Sequence, residues 1–285
     1  MPMSRRRRLS AVAFGLLSIV VAACGASGTP GPSGQERIQH PTGATDLILR
    51  FDEAGGFVPP SFFVSQGPAF SLYGDGTAIF RDPTTTPPVA VGNVRPGVPC
   101  QLVRLSEDQI QALLQFAIGP GGLAVAKATY ELPIADAPTA TFTIVANGTR
   151  KTVSVNGLGL GADQHGADQT VLASLLALKT RLLGFANDVA GEAPWTPDRY
   201  RGVLIGDGFP PAIAWPWPAI KPAEFIERGG PNGPPFRLRT LTPAEATAIG
   251  IAGFEGGLMG LAMKSPDGTA LYEFGLRPLW PDEAF

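Results

Sequence analysis

Histidine and cysteine are nearly absent: 285 residues include two of each, His40 and His165, Cys24 and Cys100. Such scarcity excludes a paired Cys-x-x-Cys centre and a His-Glu-x-x-His zinc site. The chain also lacks the Gly-x-Ser-x-Gly and Ser-x-x-Lys patterns that set up a serine nucleophile. Charge is sparse as well, at 16% of residues, against about 25% in an average domain. No cluster of Lys and Arg occurs after Arg8, which argues against nucleic acid, because phosphates call for a basic stripe. No uninterrupted apolar run reaches the ~20 residues that cross a bilayer as a helix.

Glycine and proline are plentiful instead, 36 and 29 residues, together close to double the ~12% of average chains. The glycines have no three-residue period, so collagen is excluded. With 44% hydrophobic residues and a net charge of −2, burial is sufficient to offset the entropy of ordering. A loop-rich but folded chain is expected.

Most information lies in the first 24 residues. Arg5 to Arg8 form a positive stretch, and Leu9 to Ala23 is an uncharged, mostly apolar run of 15 residues. That is short for a membrane span and has the length of a signal-peptide core. It ends in Val21-Ala22-Ala23-Cys24, which resembles the lipobox of bacterial lipoproteins. The resemblance implies cleavage before Cys24 and acylation of that cysteine by a diacylglyceryl group and palmitate, which anchors the protein to a membrane facing away from the cytoplasm. Two or more acyl chains hold a protein at a bilayer where one is marginal. Loss of residues 1–23 removes four arginines and no acid, leaving 18 basic against 24 acidic residues, a net charge of −6. Cys100 is then without a partner in the chain, and no internal disulfide is expected; the residue reads as a small buried hydrophobe.

Residues 24–45 read as the lipidated end and a flexible tether, because Gly25 to His40 has no periodicity and many small, turn-forming residues. Some 20 such residues reach roughly 25 Å. Two sections are expected to follow, residues 46–190 and 196–285, either as separate domains or as one. In the first, a strand is predicted from Asp46 to Phe51. Hairpins are predicted around Gly74-Asp75-Gly76 and Asn147-Gly148. A helix over Leu105 to Ile118 has Ser106 as cap and Gln109 completing its box, with Ile110, Leu113, Leu114 and Ala117 on one face. A second helix over Asp168 to Phe185 presents Val171, Leu175, Leu178 and Leu182. In the second section Tyr200 to Ile205 reads as a strand, Thr242-Pro243-Ala244-Glu245 as a helix start, and Leu258 to Leu276 as a hairpin around Ser265-Pro266-Asp267-Gly268. Strands and helices occur in groups rather than in βαβ alternation, so the fold class is α+β with mainly antiparallel hairpins and a few packed helices. Asp75-Gly76-Thr77-Ala78 and Asp267-Gly268-Thr269-Ala270 repeat, which common turn chemistry explains.

Tyr73-Gly74-Asp75-Gly76-Thr77, Asp136-Ala137-Pro138-Thr139 with its hairpin, and Arg277-Pro278-Leu279-Trp280-Pro281-Asp282-Glu283 resemble segments of uncharacterised bacterial secreted lipoproteins, in the same order over residues 46 to 285. The resemblance implies an extracytoplasmic domain and no activity.

Three features are candidates for chemistry. Gly157-Leu158-Gly159-Leu160-Gly161-Ala162 fits a dinucleotide-binding pattern, but its strand is half of a hairpin and not the start of a βαβ unit, so it reads as a glycine-rich loop. Asp163, His165 and Asp168 gather two carboxylates and an imidazole within six residues, enough for acid–base chemistry or a cation. The plainer account has Asp163 or Asp168 capping the next helix while His165 is solvated. Trp215-Pro216-Trp217-Pro218 places two indoles in an extended segment that could face a sugar ring or a protein; burial in a core is the favoured account. Phe57, Phe62 and Phe63 pose the same choice with the same answer. No cofactor and no metal is called for. The expected function is a membrane-anchored binding or structural module for an envelope glycan or protein, with an envelope hydrolase built on Asp163, His165 and Asp168 as the alternative.

Overall fold

Alternation of apolar and polar residues produces most of the chain's order, and the turn residues decide where it reverses. A computed structural model describes residues 37–58, 62, 65–160, 166–206, 208–228 and 236–283. The first section supplies β1 (Leu47–Gly55), β2 (Phe70–Tyr73), β3 (Thr77–Phe80), β4 (Arg95–Pro96), β5 (Gln101–Arg104), α1 (Glu107–Ile118), β6 (Thr129–Tyr130), β7 (Pro138–Ala146), β8 (Thr149–Asn156), α2 (Gln169–Leu183) and β9 (Ala193–Pro194). The second supplies β10 (Tyr200–Gly206), β11 (Ala212–Ile213), β12 (Ile226–Arg228), β13 (Phe236–Leu241), α3 (Pro243–Thr247), β14 (Leu258–Lys264) and β15 (Leu271–Pro278). The fold is mixed α+β with mainly antiparallel sheets; β6–β8 and β11–β14 are the parallel pairs.

An eight-stranded sheet has the order β6-β8-β7-β1-β2-β3-β5-β9. Asn147 at φ 49° and Gly148 at φ 71° make the tight β7–β8 turn that matches strand twist. At the β2–β3 turn Gly76 has φ 88°, and a Cβ there would lie 2.5 Å from the Leu105 carbonyl oxygen, so glycine is required twice over. Asp75 Oδ1 accepts from the Thr77 amide at 2.9 Å, and Asp267 repeats the arrangement with Thr269. The repeated Asp-Gly-Thr is therefore an Asx turn used twice. α1 starts as expected, with Ser106 accepting from the Gln109 amide and Gln109 answering the Ser106 amide. Its buried face joins that of α2 over β1, β2, β7 and β8 in the larger core.

α2 differs in detail from expectation. Its buried positions are Leu172, Leu175, Leu178 and Leu182, so Leu172 rather than Val171 sits deepest. Asp168 occupies the cap position in αR backbone, φ −93° and ψ 0°, and makes no cap hydrogen bond. A capping side chain needs extended backbone to reach the N2 or N3 amide, and the Asp168 carboxylate goes instead to Lys127 Nζ at 2.8 Å.

The ordered part also begins before residue 46. Ile38 exchanges two backbone hydrogen bonds of 2.9 Å with the Gln111 side chain, Gln39 and Asn147 are bonded both ways, and the largely buried His40 meets Glu107 at 3.2 Å. Those partners lie on α1 and at the β7–β8 turn, where no local pattern in residues 38–45 announces them.

A second sheet has the order β11-β14-β15-β10-β13-β12, with β4 pairing β14. Its core holds Tyr200, Leu204, Trp217, Phe225, Leu241, Leu261 and Phe274. A third cluster, Leu47, Tyr73, Ile79, Cys100, Trp195 and Trp280, lies against the first sheet and takes in the C-terminal segment. Gly67 is the enabling residue, since a Cβ there would stand 2.2 Å from the Trp280 ring. The described residues from Ile38 onward form one compact unit.

Candidate functional site

The residues singled out for chemistry fall in different places. Cys24, Asp163 and His165 lie outside the described residues. Asp168 is on the surface with Lys127 as described above. Trp217 is 4% exposed and its Nε1 donates to the Glu245 carbonyl at 2.7 Å, while Trp215 Nε1 donates to the Ile220 carbonyl at 2.6 Å. The two rings meet edge to face at 5.2 Å and pack with Phe225, so this pair plugs the second core and has both polar atoms satisfied. Phe57 departs from its expected burial: it is 91% exposed. Cys100 is buried and free of any disulfide, and burial pushes its thiol up from the ordinary value. Among the described residues, no three or more His, Cys, Asp and Glu side chains converge as a metal-ligating group.

Two charged constellations emerge that the sequence keeps apart. One joins the C-terminal segment to the first sheet. Register sets Arg50 on β1 opposite Ser71 on β2, and Arg50 Nε donates to Ser71 Oγ at 3.0 Å. Its Nη2 reaches Asp282 Oδ1 at 2.6 Å, where the Tyr73 hydroxyl also donates at 2.8 Å. Burial, and then the Asp282 charge, push the Tyr73 hydroxyl well above its usual value, against the pull of Arg50. Arg277 on β15 forks onto both oxygens of Glu283 at 2.7 Å, and Glu283 accepts from the Trp280 amide at 2.9 Å. Burial works to raise the Glu283 carboxyl, but the Arg277 fork outweighs it and holds the group below the ordinary glutamate range. Asp52, two residues from Arg50, has a buried Oδ1 with no hydrogen-bond partner among the described residues. Burial raises its carboxyl, offset in part by Arg50 and Arg277. Every arginine of this joint ends on a carboxylate, so its cations are occupied by the fold.

The other constellation is a recess of about 280 Å³ at the β12 edge of the second sheet. Arg201 pairs with Thr240 across β10–β13, and Ile226 pairs with Leu238 and Arg228 with Phe236 across β12–β13. Period-two alternation then puts Arg201, Thr240, Leu238, Ile226 and Arg228 on one face. Arg239 completes the lining at the rim, held to Glu224 at 2.9 Å and near Glu245 at 3.7 Å. Arg201 and Arg228 make no ion pair with any described carboxylate. Burial, and then the positive Arg277 directly opposite on β15, hold the Arg201 guanidinium below its ordinary value against the weaker pull of Glu283. Chemically the recess is an apolar floor between cationic ends. Sequence reasoning missed it because Arg201, Arg228 and Arg239 are spread over three strands. The readable signal was the cation–apolar alternation of Phe236-Arg237-Leu238-Arg239-Thr240-Leu241.

Compared with protein-family models, with curated proteins and with solved structures, the chain matches none.

Proposed function

We propose that the protein is a membrane-anchored extracytoplasmic lipoprotein whose folded part, from Ile38 onward, binds a component of the cell envelope. The observation that carries this reading is the succession of Arg5 to Arg8, the apolar run Leu9 to Ala23, and Ala22-Ala23-Cys24. Each part performs a separate physical task, which are membrane targeting by charge, insertion by a short apolar core, and cleavage and acylation at a small-residue site. Binding is favoured over turnover by the state of the charged groups. Asp168 is tied to Lys127, the joint carboxylates Asp282 and Glu283 are held by Arg50 and Arg277, and the recess offers cations and apolar surface without a histidine, cysteine or serine in its lining.

The test is acyl labelling and fractionation of Cys24→Ser. Labelled palmitate is incorporated by the wild type and lost in the variant, which leaves the membrane fraction or accumulates unprocessed. Acyl label that survives the substitution overturns the reading.

A further inference from the structure

We propose that the recess at the β12 edge binds an anionic amphiphile, with a phosphate or carboxylate head held by Arg201 and a short apolar body laid on Leu238 and Ile226 toward Arg228 at the far end. The inference deepens the binding-module reading above and rests on it for its context.

Arg201 is the first support. It is half-buried, it stands directly opposite Arg277 across β10–β15, and no described carboxylate pairs with it. Like charges directly opposite on adjacent strands destabilise a sheet, and a desolvated cation without a partner is costly. Its neighbour Arg277 has the same problem and solves it with Glu283. Glu283 attracts Arg201 from a distance, but both of its oxygens are taken by the Arg277 fork, so Arg201 has no hydrogen-bonded carboxylate of its own and an anionic ligand supplies one.

The second support is placement. Arg201 and Arg228 lie at opposite ends of the same strand face, with Leu238 and Ile226 between them. Ile226 is 58% exposed, a large β-branched side chain left in water on an edge strand. Glu224, the lining carboxylate, is neutralised by Arg239 at 2.9 Å, so it does not repel an anion as a bare carboxylate would. A protein that is acidic overall therefore has a local positive recess, and low-dielectric walls focus such a field on an incoming anion.

Ligand class follows from the donors and the size. Planar guanidinium groups present paired donors that match carboxylate and phosphate oxygens. A volume of about 280 Å³ is at the lower edge of the ~300–1,000 Å³ typical of small-molecule sites. It accommodates a head group and a ring or short chain, and its open side lets a longer chain continue outward. The head could belong to a free ester or carboxylate, or to a lipid at the membrane surface.

The test titrates phenyl phosphate into the full chain in dodecyl maltoside micelles by calorimetry, with benzyl alcohol as neutral counterpart. Saturable one-to-one binding of phenyl phosphate is expected, at least tenfold tighter than benzyl alcohol and weakening with added KCl. R201Q weakens it at least tenfold and melts at or above the wild-type temperature because a like-charge contact is gone, while R228Q, at the exposed far end, weakens it by a smaller factor through the loss of positive field. Phosphatidylglycerol doped into the micelles competes if the natural head is a lipid's, and fails to compete if it is a soluble ligand's; either result supports the site and names its source. Benzyl alcohol binding as tightly as phenyl phosphate, unchanged affinity in the R201Q/R228Q double variant, or no saturable binding of phenyl phosphate overturns the proposal. With acyl labelling of Cys24 intact, that negative result leaves the anchored-lipoprotein reading standing.

Discussion

Arg277 and Arg201 face each other across β15 and β10, yet they belong to regions with opposite electrostatics. At the C-terminal joint every arginine ends on a carboxylate, Arg50 on Asp282 and Arg277 on Glu283. Among the described residues of the recess only Arg239 does so, while Arg228 is exposed and the half-buried Arg201 feels Glu283 without a hydrogen bond to it. The contrast teaches that an arginine's neighbours, more than its burial, separate a structural cation from one available to a ligand. A half-buried pair loses strongly when one partner goes, because the other is stranded. A half-buried cation without a partner has little to lose.

The joint breaks most completely through its apolar part. Trp280 is fully buried, pairs with Trp195 at a centroid distance of 5.4 Å, and fills the space left by Gly67. Trp280→Ala is expected to cost about 3–5 kcal/mol, as large-to-small core changes do, measured by urea unfolding. The indole Nε1 has no partner among the described residues, so the loss is of packing and of the Arg277 guanidinium over the ring at 6.0 Å, with no hydrogen bond in it.

Glu283→Gln tests the ionic part and should cost about 2–4 kcal/mol at neutral pH by leaving Arg277 unpaired. The sign with pH is fixed by the lowered carboxyl of Glu283. Its contribution is present above the unfolded value of about 4.3 and is lost as pH falls through the lower folded value. Unfolding of the wild type across the acid range should show that loss, and the Gln variant should lack it.

Asp52 sharpens the same comparison with a smaller effect of opposite sign. Its carboxyl is raised by burial, so its contribution is greatest below the unfolded value of about 3.9 and falls away as pH rises through the folded value. Asp52→Asn is therefore expected to stabilise at neutral pH, by less than about 1 kcal/mol, and to remove that part of the pH dependence. Melting curves of the variant at acid and neutral pH decide it.

Local physics explains what the sequence made legible. The Ser106 cap with Gln109, the Asn147-Gly148 turn, the Thr242-Pro243-Ala244-Glu245 start and the Asp-Gly-Thr turns are decided by residues within four positions of one another, and all appear where read. The α+β class followed from their grouping. Long-range partners were invisible. Nothing near Ile38 or His40 announces Gln111 or Glu107, and the Asp168 carboxylate is drawn to Lys127, 41 positions away. Asp282 meets Arg50 across 232 positions of chain. The recess was hidden for the same reason, since no Lys/Arg cluster follows Arg8 along the sequence and strand pairing brings arginines together in space.

The central claim, that the two facing arginines serve different ends, is tested most directly by urea unfolding of R277Q and R201Q side by side at neutral pH. R277Q is predicted to lose about 2–4 kcal/mol, because Glu283 is left buried without its fork. R201Q is predicted to stay within about 0.5 kcal/mol of the wild type or to gain stability. An R201Q variant destabilised as much as R277Q would contradict the account and make Arg201 a structural residue.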